Sequence, residues 1–185
     1  MKQTSTTLLG HALLGLLQQK PASGYDLRKI FTETPMGSFS DSPGAIYPAL
    51  GRLEEKKLVR GKVESGSGLR QRKVYHLTAI GLKELTTWLT APIEQADVVR
   101  RMNELMLRFA FLDSAVGEMA TLNFLHSLEV ELKKYVPQVK KFFEGHAASM
   151  PTSGRLALEC GVLGYEARLQ WTSRAISVYR KVGLK

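Results

Sequence analysis

In residues 42–78 the side chains suited to recognising a polyanion are concentrated and ordered. Ser42, Gly44, Ala45, Tyr47, Pro48 and Arg52 lead, and Lys62, Arg70, Arg72 and Lys73 follow. Small residues let a backbone approach a surface closely, while tyrosine and arginine reach phosphate oxygens and base edges. Cations crowded on so short a segment repel one another unless a polyanion lies nearby. The chemistry implied is recognition of double-stranded DNA by hydrogen bonds and charge, with no bond made or broken.

Such residues need a helix and a hairpin to position them. Ser42 is a suitable N-cap, Pro43 suits a first helical position, and Ile46, Leu50 and Leu53 recur at helical spacing as a buried stripe opposite Ala45, Tyr47, Pro48, Gly51 and Arg52. Pro48 inside that helix would take the amide partner from the Gly44 carbonyl, which predicts a late or kinked start. Leu58 to Val63 and Arg72 to Leu77 then read as two strands, joined by a turn in which Gly66 and Gly68 supply positive φ. A groove-sized helix followed by a basic β-wing is the pattern of a winged helix-turn-helix. For the wing alone, a solvated hairpin carrying edge-protecting charge is the competing explanation. The helix before it favours DNA.

The flanking segments supply a scaffold. A helix over Thr7 to Gln19 turns Leu9, Leu13, Leu16 and Leu17 inward, and Pro21 and Gly24 mark a break. A second, over Ser23 to Thr34, offers Tyr25, Leu27, Ile30 and Phe31, with Tyr25 expected to pack its ring beneath the reading helix. Thr78 caps a fourth helix carrying Leu82, Leu85, Trp88 and Leu89, and Pro92 closes it. The fold class is therefore mainly α with a small β-hairpin: a winged helix-turn-helix over 1–92, then a helical arm over 93–185.

In that arm the spacing predicts helices over Ala96 to Leu112, Ser114 to Gly145 and Ser153 to Val182. Leu125, Leu128, Leu132, Tyr135, Val139 and Phe142 form one stripe; Leu158, Val162, Tyr165, Leu169, Thr172, Ile176 and Tyr179 form another. These stripes fit a hairpin of helices within one subunit or a dimer interface, and a long two-helix arm has room for both. Pro137 is expected to kink the second helix, and Gly161 with Gly164 allows a close backbone approach in the third.

Charge divides unevenly. Residues 1–92 carry 13 Lys+Arg against 7 Asp+Glu, +6, and residues 93–185 carry 13 against 10, +3. A membrane surface or RNA could also use the basic excess, but no basic amphipathic anchor and no aromatic RNA motif stands out. The N-terminal segment lacks a cleavage site, no apolar run reaches membrane-span length, and the single Cys160 permits no internal disulfide. These features fit a cytoplasmic protein in which Cys160 is a packed thiol.

No catalytic, metal or cofactor site is expected. His11, His76, His126 and His146 fall on different elements without metal-ligand spacing, and no glycine pair opens a phosphate loop. His126 near Glu129 reads as a solvated helix pair.

Three blocks, SGYDLRKIF at 23–31, GAIYPALGRLEEKKLV at 44–59 and KVYHLTAIGLKEL at 73–85, resemble the PadR family of bacterial transcription regulators in order and spacing. GYEARLQWTSRAI at 164–176 resembles the helical dimerisation region of its longer members. The resemblance implies a homodimeric regulator, more often a repressor than an activator, bound to an operator with inverted half-sites about one helical turn apart or a multiple of that. The dimer contacts would come from Leu125, Leu128, Leu132, Leu158, Val162, Tyr165, Leu169 and Ile176. It also implies sensing of a small aromatic effector, for which Met102, Met106, Phe109 and Trp171 could line a pocket between the winged helix and the arm. Such residues at helical spacing are more often core than a ligand box. The alternative function is a protein-interaction adaptor whose winged helix docks another protein while the arm oligomerises.

Overall fold

A computed structural model describes residues 6–34, 36, 43–65 and 71–182. Its internal contacts divide the chain into two compact units, Met1–Leu89 and Thr90–Lys185.

The first unit is built around α1, Leu8–Gln19, whose N-terminus is closed by the Thr7 hydroxyl accepting from the Gly10 amide at 3.1 Å. Leu13, Leu14, Leu16 and Leu17 are all buried, whereas Leu9 is half-buried. Leu14 was not among the expected inward residues. A helix contacted by α3, α4 and β3 is covered on most sides, so no single stripe defines its buried face. Ser23 then serves two elements. It ends the two-residue strand β1, Ala22–Ser23, and it caps α2, Gly24–Glu33, in a reciprocal box with Asp26. The hydrogen bond from the Ser23 hydroxyl holds the Asp26 carboxyl below its ordinary range.

This cap corrects the expectation for Tyr25. With Leu27 and Phe31 turned to the core, Tyr25 stands outward in the first turn and is 67% exposed. The reading helix does start late, as Pro48 required. Pro43–Ala45 is a 3-10 turn and α3 runs Ile46–Glu55, which puts Pro48 in its first turn, where a missing amide leaves no helical bond unmade. Ile46, Ala49, Leu50 and Leu53 are buried. Ser42, Gly66, Gly68 and Arg70 lie outside the described residues.

Lys57 takes φ of 60°, a left-handed turn that leads α3 into β2, Val59–Ser65. β3, Gln71–Leu77, pairs antiparallel with β2 from Val59↔Leu77 to Ser65↔Gln71 and with β1 at Ala22↔Tyr75, giving the order β1-β3-β2. Thr78 accepts from the Gly81 amide at 3.0 Å and opens α4, Ala79–Leu89. Leu85 and Leu89 are buried there, and the Trp88 ring stacks on His11 with centroids 4.4 Å apart. Leu82 faces outward, contrary to expectation, because Gly81 takes the place against Leu58 and Leu77.

The second unit holds α5, Gln95–Arg100; α6, Met102–Val116; α7, Glu118–His146; and, after a 3-10 turn, α8, Thr152–Val182. One helix was expected where α5 and α6 stand. Arg101 breaks it with φ −129° and ψ 29°, while its guanidinium pairs with buried Asp97, which also caps α5 by accepting from the Glu94 amide at 2.9 Å. Buried Arg108 of α6 donates to the Ala91 carbonyl and lies 5.1 Å from the Phe124 ring centre. Gly117, at φ 96°, separates α6 from α7. Helix α7 runs on through Pro137, which lies on its exposed side. Helices α7 and α8 pack antiparallel, tied by Ser173 to Glu129 at 2.6 Å and by Lys140 to Glu166 at 2.8 Å. No helix among the described residues is long and apolar enough to cross a membrane.

Candidate nucleic-acid interface

Burial of Ile46, Ala49, Leu50 and Leu53 dictates which side of α3 is free. Gly44 and Ala45 lie in the preceding 3-10 turn, and Tyr47, Pro48, Gly51 and Arg52 occupy the outward side, with Tyr47 half exposed at 50%. The Tyr47 ring rests on Gly24: a methyl group at Gly24 would lie 2.6 Å from Tyr47 Cε1. Two tyrosines, 25 and 47, thus stand beside the start of α2, and only Tyr47 was expected to be exposed there.

Strand alternation divides the wing cations. Lys62 is opposite Val74, Arg72 opposite Glu64 and Arg60 opposite His76, so these alternate residues share one sheet face. Arg60, which the sequence reading passed over, is exposed beside Lys62 in this row. The alternation of β2 was the signal for it. Lys73, opposite Val63, points to the other face and back toward α3.

There its ammonium meets Glu54 Oε2 at 2.6 Å, while Glu54 Oε1 accepts from the Gly61 amide at 3.0 Å. The hydrogen bond from Lys73 holds the Glu54 carboxyl below its usual range, and the same bond raises Lys73. Lys73 was expected to face a polyanion; its charge is instead engaged within the chain.

The arm residues sort differently from their expected roles. Leu125, Leu128, Leu132, Val162 and Ile176 are buried within the single chain, and Leu158, Tyr165 and Leu169 are half-buried on the same side of the α7 and α8 pair. What α8 leaves exposed is another apolar row, Leu156, Cys160, Leu163, Ala167, Trp171 and Val178, at steps of three, four and seven. Cys160 is thus exposed where a packed thiol was expected. Of the effector candidates, Phe109 and Trp171 meet edge-on at 5.1 Å, Met102 is buried at the start of α6 and Met106 is half-buried. Phe124 completes the aromatic group, 6.2 Å from Phe109.

His11 sits on α1, His76 on β3, and His126 and His146 both on α7 twenty positions apart, and no group of three metal-ligating side chains occurs among the described residues. Glu129 is not simply a partner of His126. Bonds from Ser173 and then Lys133 hold its carboxyl low, and the Ser173 bond ties α7 to α8.

The family described as Transcriptional regulator PadR-like matches residues 13–87. The Negative transcriptional regulator PadR of Bacillus subtilis (strain 168) is 29% identical over 122 residues, which cover 66% of this chain and 66% of that protein. Transcriptional regulator YqjI of Escherichia coli (strain K12) is 31% identical over 87 residues, 47% of this chain and 38% of that protein. The match therefore spans less than two thirds of either relative's length. Among solved structures, Bacillus subtilis PadR in complex with operator DNA is similar at 23% identity over 92% of this chain and 98% of that one, with a TM-score of 0.42. The PadR-like transcriptional regulator BC1756 from Bacillus cereus is similar at 22% identity over 97% and 99%, with a TM-score of 0.43. The family and both relatives are transcriptional regulators, not enzymes.

Proposed function

We propose that this chain, whose residues 13–87 match the PadR-like family of transcriptional regulators, acts as such a regulator and is a homodimeric repressor of operators with inverted half-sites. The observation that carries the DNA contact is the outward side of α3, where Tyr47 and Arg52 stand exposed beside a wing whose Lys62 and Arg72 share one face. Residues 42–52 enter a major groove, Tyr47 and Arg52 reach base edges, and Lys62, Arg70 and Arg72 meet the backbone. Repression follows the name of the Bacillus subtilis relative, a negative regulator. The dimer forms through the exposed row of α8, since the inner stripes are already spent on α7. A small aromatic effector, as the finer part of this reading, is placed at the exposed edge of the Phe109 and Trp171 pair.

A gel shift at graded salt tests the core of this. Affinity should fall steeply with salt, at a log-log slope of about −0.9 for each phosphate neutralised. No DNA affinity even at low salt would return the adaptor. Within that assay Arg72→Ala should weaken specific and nonspecific duplexes alike and reduce the slope by roughly one phosphate's share. An unchanged slope would remove Arg72 from the interface.

Base reading has its own test. Tyr47→Ala should change which duplexes are enriched from a random library, and Gly24→Ala should do the same at a distance, because its methyl group displaces the Tyr47 ring. Stability should move by no more than about 0.5 kcal/mol in the latter, since a side chain rather than backbone gives way. Enrichment of the same sequences by the parent and both variants would show that Tyr47 reads no base.

A further inference from the structure

The carboxylate of Glu54, at the end of the reading helix, touches both strands of the wing. It sits in the last turn of α3, accepts from the Gly61 amide of β2 at 3.0 Å and takes the Lys73 ammonium of β3 at 2.6 Å. Gly61 makes this geometry accessible: a methyl group there would lie 2.1 Å from Lys73 Cε and 2.9 Å from Glu54 Oε1. Lys73 also lies 5.2 Å from the centre of the Tyr75 ring, which flanks it on the same face of the sheet. From α3, β2 and β3 together, then, one anion, one cation, one amide and one aromatic face converge where helix meets wing.

Such a contact could serve stability or pose. The side chains of Lys73 and Glu54 remain 45% and 33% exposed, and ion pairs so exposed add little to global stability. Their geometric effect is larger, because the carboxylate fixes two strands to one helix end, and binding elements held in their bound pose lose less freedom on association. We propose that Glu54 is a positioning residue for DNA binding, holding the wing at a fixed angle to the reading helix through Gly61 and Lys73, and that Lys73 acts through this lock rather than on a phosphate. The proposal rests on the DNA-binding reading above. It assigns the same consequence to two residues of opposite charge: neutralising either one should harm binding, although loss of an anion ordinarily strengthens a protein's attraction to DNA.

The test uses the full chain and the variants Glu54→Ala, Glu54→Gln, Lys73→Met, Gly61→Ala and the double variant Glu54→Ala with Lys73→Met. The probe is a duplex enriched from a random library by the parent chain, titrated across salt, and amide hydrogen exchange of β2 and β3 is followed without DNA. Expected are roughly tenfold weaker binding for Glu54→Ala and for Lys73→Met, a smaller loss for Glu54→Gln, which retains an acceptor for the Gly61 amide, and a double variant no weaker than the worse single one. Gly61→Ala, which keeps both charges but pushes Lys73 aside, should match Lys73→Met. In each of these variants wing amides should exchange faster while the melting temperature stays near that of the parent.

Tighter binding by Glu54→Ala would overturn the proposal, since it would mean that the carboxylate only masks a phosphate-binding lysine. So would a slope reduced by about one in Lys73→Met but not in Glu54→Ala, or unchanged wing exchange in both. If the parent chain enriches and binds no duplex, the DNA reading itself fails, and the exchange measurements still decide whether Glu54 and Lys73 fix the wing.

Discussion

If the proposed dimer forms, Leu163→Asp should yield a monomer that keeps its helices and binds a two-half-site operator roughly 10²-fold more weakly than the parent, because the second winged unit would no longer be delivered by the first. The expectation follows from the two sides of α8. Val162 and Ile176 are buried against the rest of their own chain, whereas Leu163 is 57% exposed in a row with Leu156, Cys160, Ala167, Trp171 and Val178. A carboxylate at Leu163 stays hydrated in the single chain and costs its fold little. Buried in an interface without a partner, the same charge costs several kcal/mol. Leu128→Asp supplies the contrast: Leu128 is fully buried within the chain, so that variant should lose the helical arm itself. Sedimentation, helicity and operator titration together separate the two outcomes. A Leu163→Asp chain that still sediments as a dimer would rule out the outer row of α8 as the interface.

That contrast also marks where the sequence was legible. Leu125, Leu128, Leu132, Val162 and Ile176 could be recognised as buried from their spacing alone, but spacing carries no information on whether the covering helix belongs to the same chain. The winged architecture was readable because residues 42–78 combine an apolar helical stripe, Pro48 and two β-prone runs separated by glycines, each constraining the next. Its third strand was not: Ala22–Ser23 is too short to show alternation, and only pairing with Val74 and Tyr75 defines it. Tyr25 failed for a related reason. Ser23 fixes the phase of α2 by capping it, and that phase turns the ring outward whatever its hydrophobicity suggests. The break at Arg101 has no glycine or proline to announce it and depends on Asp97 being drawn into a cap and an ion pair. At the candidate site, residue type identified Lys73 as a cation for DNA, but type alone cannot reveal that Glu54, nineteen positions earlier, claims its charge.

Gly81→Ala should cost the winged unit about 1–3 kcal/mol, the range for forcing extra volume into a packed contact. The added methyl would lie 2.0 Å from the Leu58 carbonyl oxygen, 2.9 Å from its carbon and 2.8 Å from Leu77 Cδ1. Backbone cannot swing aside as a lysine can. The Leu58 carbonyl is held by the Thr78 amide at 3.1 Å and the Thr78 hydroxyl at 3.0 Å, and on the other side Leu85 and Leu89 bury α4 in the core. Relief therefore requires moving the helix or the first residue before β2, which carries the wing with it. For a unit of this size each kcal/mol shifts the melting temperature by roughly 4–8 °C, so the loss should be plain in a thermal melt and in faster amide exchange across β2 and α4. Gly51→Ala is the control with the opposite sign. Nothing lies within 4 Å of a methyl placed there, and an alanine inside a helix is favoured over glycine by about 0.5–1 kcal/mol. The stabilised Gly51→Ala chain should nevertheless lose operator affinity, because its methyl group projects from the side of α3 proposed to approach DNA. Should Gly81→Ala melt with the parent, the close seat of α4 on the Leu58 carbonyl would be wrong, and with it the path by which the wing is fixed to the core.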